Sequence, residues 1–176
     1  GLDLKHKRLP WLLETIAQYS EHFPADAGVV IVGNYDKLTH WQQLVSELGL
    51  KNLVVFTGRV SDEELAALYS KARALLLPSL DEGFGMPTLE ALLCGTEVIV
   101  PDTPVLREVT GSSGHYYGVY DQNQLGRLIT QAFQGTLPLR AKYFQNRFSW
   151  DASARQFLEL LKSILDEETA NAPAIS

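Results

Sequence analysis

The sequence has 176 residues, of which 45% are hydrophobic and 20% charged, enough for one globular domain with a buried core. Its net charge of −6 argues against nucleic acid as the main partner, because phosphate backbones are bound by clustered Lys and Arg. No apolar run reaches about 18 residues, which argues against a membrane-spanning helix. The single cysteine, Cys94, excludes an internal disulfide and favours a cytosolic compartment.

Helical and strand patterns alternate along the chain. Apolar residues spaced three and four apart predict helices, and short continuous apolar runs predict strands. In chain order the patterns predict helix 9–22, strand 28–32, helix 39–48, strand 53–56, helix 61–73, strand 74–77, helix 87–94, strand 98–100, strand 115–119 and helices 121–133, 138–147 and 151–167. The domain is expected to cover residues 1–168, and residues 169–176 are expected to form a flexible tail.

This alternation is typical of an α/β fold, a Rossmann-like parallel sheet with helices on both faces. The strand at 28–32 is almost wholly apolar and is therefore expected to be buried. Ligands of such sheets bind beyond the carboxyl ends of the strands. The loops after Val32, Phe56, Leu77 and Val100 are therefore expected to share one rim.

The most informative segment is Glu82-Gly83-Phe84-Gly85-Met86-Pro87-Thr88-Leu89-Glu90, which joins a predicted strand to a predicted helix. Proline suits the first helical position, and the free N–H groups at a helix start favour anionic ligands. The carboxylates of Glu82 and Glu90 can accept hydrogen bonds from several hydroxyls. Amides for phosphate and carboxylates for hydroxyls together predict a nucleotide-sugar site.

Five segments, in this order and at these intervals, carry a resemblance to a known family; they are 30–33, 56–60, 77–91, 94–96 and 148–150. Over about residues 2–165 the chain resembles the C-terminal, donor-binding domain of retaining glycosyltransferases of the GT-B architecture, family 4 (glycosyl transferases group 1). The resemblance implies that a hexose passes from a nucleotide diphosphate sugar to a glycan, lipid or other acceptor, as in polysaccharide biosynthesis. It also implies a partner, a separate N-terminal domain that mainly binds the acceptor.

The resemblance implies a role for each matching residue. Glu82 would face the hydroxyls of the donor sugar and Lys7 would bind the diphosphate, and these two are the predicted catalytic residues. Glu90 would hold the ribose hydroxyls. The other predicted donor-binding residues are Phe84, Gly85 and Met86, through backbone N–H groups, and Arg59 and Val60, at the nucleobase.

Some residues keep a second interpretation. Gly33 marks either a turn that ends a strand or a close approach of backbone to phosphate. Lys7 could instead lie at a solvated helix start, and Arg59 could lie in a loop without binding a ligand.

The family's first strand would lie before residue 1, and Gly1 stands where the resemblance places an arginine six positions before Lys7. The missing strand is expected either to leave a gap or to let the strands 28–32 and 74–77 pair directly. Because N–H groups and cations would hold the diphosphate, no metal is required, and no His, Cys and carboxylate cluster has metal-ligand spacing.

The expected location is the cytoplasm. Peripheral association of the parent protein with the inner face of the membrane is left open as an alternative. The isolated chain is predicted to be inactive without the acceptor-binding half. Two alternatives to donor binding in a transferase remain at this stage. One is a nucleotide-binding or regulatory module without catalysis, and the other is a half of a sugar-nucleotide epimerase.

Overall fold

The computed structural model describes residues 7–34 and 38–170. In chain order its elements are α1 (Leu9–Tyr19), β1 (Val29–Val32), α2 (Leu38–Glu47), β2 (Val54–Gly58), α3 (Asp62–Lys71), β3 (Ala74–Leu76), α4 (Met86–Leu93), β4 (Glu97–Pro101), α5 (Pro104–Thr110), β5 (Gly114–Tyr117), α6 (Gln122–Gln134) and α7 (Trp150–Ala170). Short 3₁₀ turns cover Ser20–His22, Gly111–Ser113 and Ala141–Tyr143. None of the described helices is long and apolar enough to cross a lipid bilayer.

The chain divides into two compact units, the first ending at Phe144 and the second beginning at Gln145. The first unit holds all five described strands and helices α1 to α6, and the second holds α7. Helix α7 includes Thr169 and Ala170, and the rest of the predicted tail lies outside the described residues.

All pairings between the described strands are parallel, and the Rossmann-like α/β class is confirmed. Strand β1 pairs with β2, and β3, β4 and β5 form a second sheet with β4 in the middle. Among the described residues β1 and β3 do not pair. The direct pairing of strands 28–32 and 74–77, one of the two expected arrangements, is therefore not observed. Within each sheet the carboxyl ends of the strands lie at the same edge, which is where ligands of such folds bind.

Strand β4 lies between two apolar clusters and is buried along its whole length. Ile99 packs in one cluster with Leu13 and Ile16 of α1. Val98 and Val100 pack in the other cluster. Because successive side chains of a strand point to opposite faces, this division shows that apolar groups cover both faces of the sheet.

Two predictions about strand and helix were wrong. The predicted buried strand became β1, whose Val30 is 49% exposed, because β1 belongs to a two-stranded sheet that is covered on one face only. The predicted helix 138–147 is replaced by the short turn Ala141–Tyr143.

The chain at this turn is tied to a buried glutamate of β4. The backbone N–H groups of Arg140 and Ala141 donate to Oε1 of Glu97 at 2.9 and 3.0 Å. The other oxygen of Glu97 lies 2.9 Å from Nε2 of His115, and both of these side chains are buried. These backbone N–H groups and His115 therefore give the buried Glu97 side chain hydrogen-bond partners and tie residues 140–141 to β4.

Candidate functional site

The start of α4 is a fixed turn. Gly85 precedes the helix with φ of 84°, in the left-handed region that favours glycine. A Cβ atom at this position would lie 2.7 Å from Cδ2 of Leu106, so the space also requires glycine. The hydroxyl of Thr88 donates to the Gly85 carbonyl at 2.7 Å and closes the turn. The direction of the following amides is therefore set by local structure.

Two successive amides lie at this turn, one of the buried Gly85 and one of the exposed Met86. The N–H groups of Gly85 and Met86 have no hydrogen-bond partner within residues 7–34 and 38–170. Pro87 contributes no N–H, and the dipole of α4 places partial positive charge at this end. The turn can therefore bind an anionic group such as a phosphate.

The predicted catalytic pair is brought into contact. Nζ of Lys7, directly before α1, donates to Oε1 of Glu82 at 2.6 Å, although the two residues are 75 positions apart. The Lys7 side chain is 40% exposed and that of Glu82 12% exposed. The ammonium group of Lys7 thus contacts a carboxylate in the loop between β3 and α4, three positions before Gly85 in the sequence.

Arg8 anchors the segment that carries Lys7, and sequence reasoning did not identify it. Its φ of 48° is the one positive value at a non-glycine residue among those the structure describes. The guanidinium donates to the carbonyl of Val119, beyond β5, at 2.6 Å and stacks 3.8 Å above the Trp11 ring. These contacts offset the cost of the left-handed backbone and fix the start of α1 beside the end of β5.

Glu90 lies in the second turn of α4, and its carboxylate has one hydrogen-bond partner among the described residues. The hydroxyl of Tyr69, in α3, donates to Oε2 of Glu90 at 3.3 Å. Burial raises the pKa of Tyr69, and the Glu90 carboxylate raises it further, so the phenol stays protonated as a donor. No sequence pattern pointed to Tyr69, because this contact between helices depends on how α3 packs against α4.

The residues predicted near phosphate and nucleobase lie in the loops after β1 and β2. The Gly33 N–H donates to the Gly58 carbonyl at 2.9 Å, so this amide is already paired. Arg59 is exposed and Val60 half-buried. In the described part of the chain no hydrogen bond or ion pair joins these residues to the loop before α4.

An ion pair that was not predicted follows β4. Arg107 forms a two-pronged contact with Asp102, in which Nη2 lies 2.7 Å from Oδ2. The guanidinium lies 4.4 Å from the centre of the Tyr116 ring. The hydrogen bonds from Arg107 lower the pKa of Asp102, which keeps this exposed carboxylate charged.

A shallow, open depression of about 320 Å³ lies elsewhere, between α1 and α6, and is lined by Tyr19, His22, Arg127, Thr130 and Gln131. Its lining has no carboxylate and no helix start, so it lacks the groups that would recognise both phosphate and hydroxyls. Over the described residues there is also no group of three or more His, Cys, Asp and Glu that could hold a metal ion.

The chain is similar to several characterised and solved glycosyltransferases. It is 35% identical to the O-antigen chain mannosyltransferase RfbU of Salmonella typhimurium, over 86% of this chain and 42% of that protein. It is 32% identical to the MMP alpha-(1->4)-mannosyltransferase of Mycolicibacterium hassiacum, over 74% of this chain and 29% of that protein. The chain thus spans less than half the length of these relatives.

Solved structures show the same fold. Sucrose-phosphate synthase from Thermosynechococcus elongatus matches with a TM-score of 0.71 and 25% identity, over 93% of this chain and 43% of that chain. Anabaena Alr3699/HepE, solved in complex with UDP, matches with a TM-score of 0.70 and 23% identity, over 90% and 46%. The family model described as Glycosyl transferases group 1 matches residues 3–150, which contain every predicted site residue. The chain therefore belongs to the glycosyl transferases group 1 family.

Proposed function

We propose that this chain binds the nucleotide-sugar donor of a retaining glycosyltransferase, which transfers a hexose to a glycan, lipid or other acceptor. The observation that carries the proposal is the contact between Lys7 and Glu82, in the loop that leads to the unpaired amides of Gly85 and Met86. A cation and two amides suit a diphosphate, and a carboxylate beside them suits the hydroxyls of an attached sugar.

The same groups can stabilise the reaction. When the bond between sugar and diphosphate breaks, negative charge develops on the leaving phosphate oxygens. The ammonium group of Lys7 and the amides at the start of α4 can interact with that charge and lower the barrier. Because these donors are supplied by the protein, the proposed site needs no metal ion.

Glu82 is proposed to orient the donor sugar and is not proposed as a nucleophile. Hydrolases that retain configuration place two carboxylates across one glycosidic bond. In the proposed arrangement the second carboxylate, Glu90, binds ribose instead and lies on α4 with Tyr69 as its partner. Retention of configuration is part of the proposal and follows from the resemblance.

The acceptor is proposed to bind to a partner domain, so the isolated chain is expected to be inactive. Holding the acceptor oxygen against the sugar can supply roughly 7–11 kcal/mol of barrier lowering, which the donor site cannot replace. The names of both relatives make mannose the first sugar to test. They are named as transferases, which favours this proposal over the epimerase alternative. A cytoplasmic location is proposed with it.

The proposal is tested by calorimetric titration of the chain with UDP, GDP and ADP and with the corresponding sugar nucleotides. One of the three diphosphates should bind, and Glu90→Ala should weaken its affinity at least about tenfold, since a hydrogen bond to a charged group contributes roughly 1.5–3 kcal/mol. The matched control is Glu14→Ala, which removes an exposed glutamate of α1 and should leave affinity unchanged. Unchanged affinity in Glu90→Ala would contradict the assignment of Glu90 to ribose.

A further inference from the structure

The Glu90 carboxylate has two oxygens in different situations. Oε2 accepts the hydrogen bond from the Tyr69 hydroxyl at 3.3 Å. Oε1 has no hydrogen-bond partner among the residues that the structure describes, and the side chain is half-buried. One oxygen is therefore held by the protein while the other remains able to accept hydrogen bonds from a ligand.

Tyr69 is itself held by the segments on either side of α4. The buried hydroxyl of Thr96, in the turn after α4, donates to the Tyr69 carbonyl at 2.5 Å. The N–H of Ala72 donates to the same carbonyl at 3.0 Å. The Tyr69 side chain packs against the apolar cluster that includes Ala91 and Leu92 of α4. The position of its hydroxyl is thus set by the packing of α3 against α4.

A fixed partner matters because a glutamate side chain has several rotamers. Ordering such a side chain when a ligand binds costs affinity, and a carboxylate that is already ordered avoids part of that cost. The phenol is well suited to the task. The Tyr69 phenol donates one hydrogen bond. In its protonated form it carries no negative charge that would repel the diphosphate.

We propose that Tyr69 is a positioning residue for donor binding, whose hydroxyl holds Oε2 of Glu90 so that Oε1 faces the ribose hydroxyls. The inference rests on the proposed function, in which Glu90 binds ribose. It assigns a role to a residue that contacts no ligand in that proposal. Tyr69 would then have two functions. Its ring packs against the apolar cluster, and its hydroxyl positions the Glu90 carboxylate.

The test is calorimetric titration of the full chain carrying Tyr69→Phe, which keeps the ring and removes the hydroxyl. The probes are the tightest binder among UDP, GDP and ADP and its 2′,3′-dideoxy form. Affinity for the ribose form should fall about threefold to tenfold, as expected for loss of one hydrogen bond, and affinity for the dideoxy form should not change. The control is Tyr19→Phe, which removes a hydroxyl that donates to Asn123, and both of these residues are far from α4 in the sequence. This substitution should change the affinity for neither the ribose form nor the dideoxy form.

Adding Glu90→Ala separates the possible causes. If Tyr69 acts through Glu90, the double variant should bind no more weakly than Glu90→Ala alone. Equal losses for the ribose and dideoxy forms, additive losses in the double variant, or no loss in Tyr69→Phe would each overturn the inference. If Glu90→Ala loses affinity but Tyr69→Phe does not, only this inference fails. If Glu90→Ala binds normally, the ribose assignment fails and this inference fails with it.

Discussion

The two sheets of the first unit differ in how firmly they hold the loops at their carboxyl ends. The loop after β3 contacts a distant segment through the Lys7–Glu82 pair, and helix α4, which follows the loop, contacts α3 through the Tyr69–Glu90 pair. The loops after β1 and β2 are joined to each other by the Gly33–Gly58 hydrogen bond, and Arg59 is exposed. Burial follows the same division, because β4 is buried throughout while Val30 and Val55 are about half exposed.

This difference indicates that the two sheets contribute differently to the proposed donor site. The groups proposed for sugar, diphosphate and ribose lie in the ordered region, so a ligand pays little ordering cost there. The residues proposed for the nucleobase, Arg59 and Val60, follow β2, and Arg59 is exposed. We therefore expect substitutions around α4 to have larger effects on folding and binding than comparable substitutions after β1 and β2.

The largest effect is expected for Gly85→Ala. Its positive φ costs roughly 1–2 kcal/mol for any other residue, and the new Cβ would meet Leu106 at 2.7 Å. Overpacking costs a further 1–3 kcal/mol or so, which gives a total loss of about 2–5 kcal/mol in the free energy of unfolding. Chemical denaturation measures this loss, and calorimetry should show weaker diphosphate binding.

The matched control is Gly58→Ala, at the end of β2. Gly58 also has a positive φ, of 72°, but a Cβ atom there would meet nothing within 4 Å. Only the backbone cost of roughly 1–2 kcal/mol should appear. Equal destabilisation by the two substitutions would show that the turn before α4 is no more constrained than the loop after β2.

A smaller effect is expected for Glu82→Gln, which neutralises the partner of Lys7. The bare nucleoside diphosphate should bind up to about fivefold more tightly, because partly exposed ion pairs contribute roughly 0–1 kcal/mol and Lys7 would no longer be paired. The sugar nucleotide should gain less affinity or bind more weakly, because the substitution weakens the acceptor proposed for the sugar hydroxyls. Calorimetry on both ligands gives the comparison. Equal weakening of both would mean that Glu82 contacts the nucleotide rather than the sugar.

Much of the fold could be predicted from local pattern. The predicted helix 61–73 matches α3, and the structure shows a reciprocal capping box between Ser61 and Glu64 at its start. The Gly-Phe-Gly-Met-Pro segment predicted the start of α4 within one residue. These features succeed because a cap or turn is determined by a few adjacent residues, whose preferences the sequence displays directly.

The features that were missed depend on contacts between distant segments. The prediction of helix 138–147 missed the contact of the Arg140 and Ala141 backbone with Glu97, more than 40 residues away. Helix α5 was not predicted, although Thr103 caps it and Pro104 begins it. The Tyr69–Glu90 contact could not be predicted because it depends on the packing of two helices. Candidate site residues could be proposed from the sequence, but the distant residues that contact them could not.

Amide chemical shifts can detect binding of the donor diphosphate at the start of α4 residue by residue. In ¹H–¹⁵N correlation spectra, the tightest binder among UDP, GDP and ADP should shift the Gly85 and Met86 amides most. The Arg59 and Val60 amides should shift less, and those of Tyr19 and His22, beside the depression between α1 and α6, should not move. Largest shifts at that depression, with Gly85 and Met86 unchanged, would contradict the proposed site.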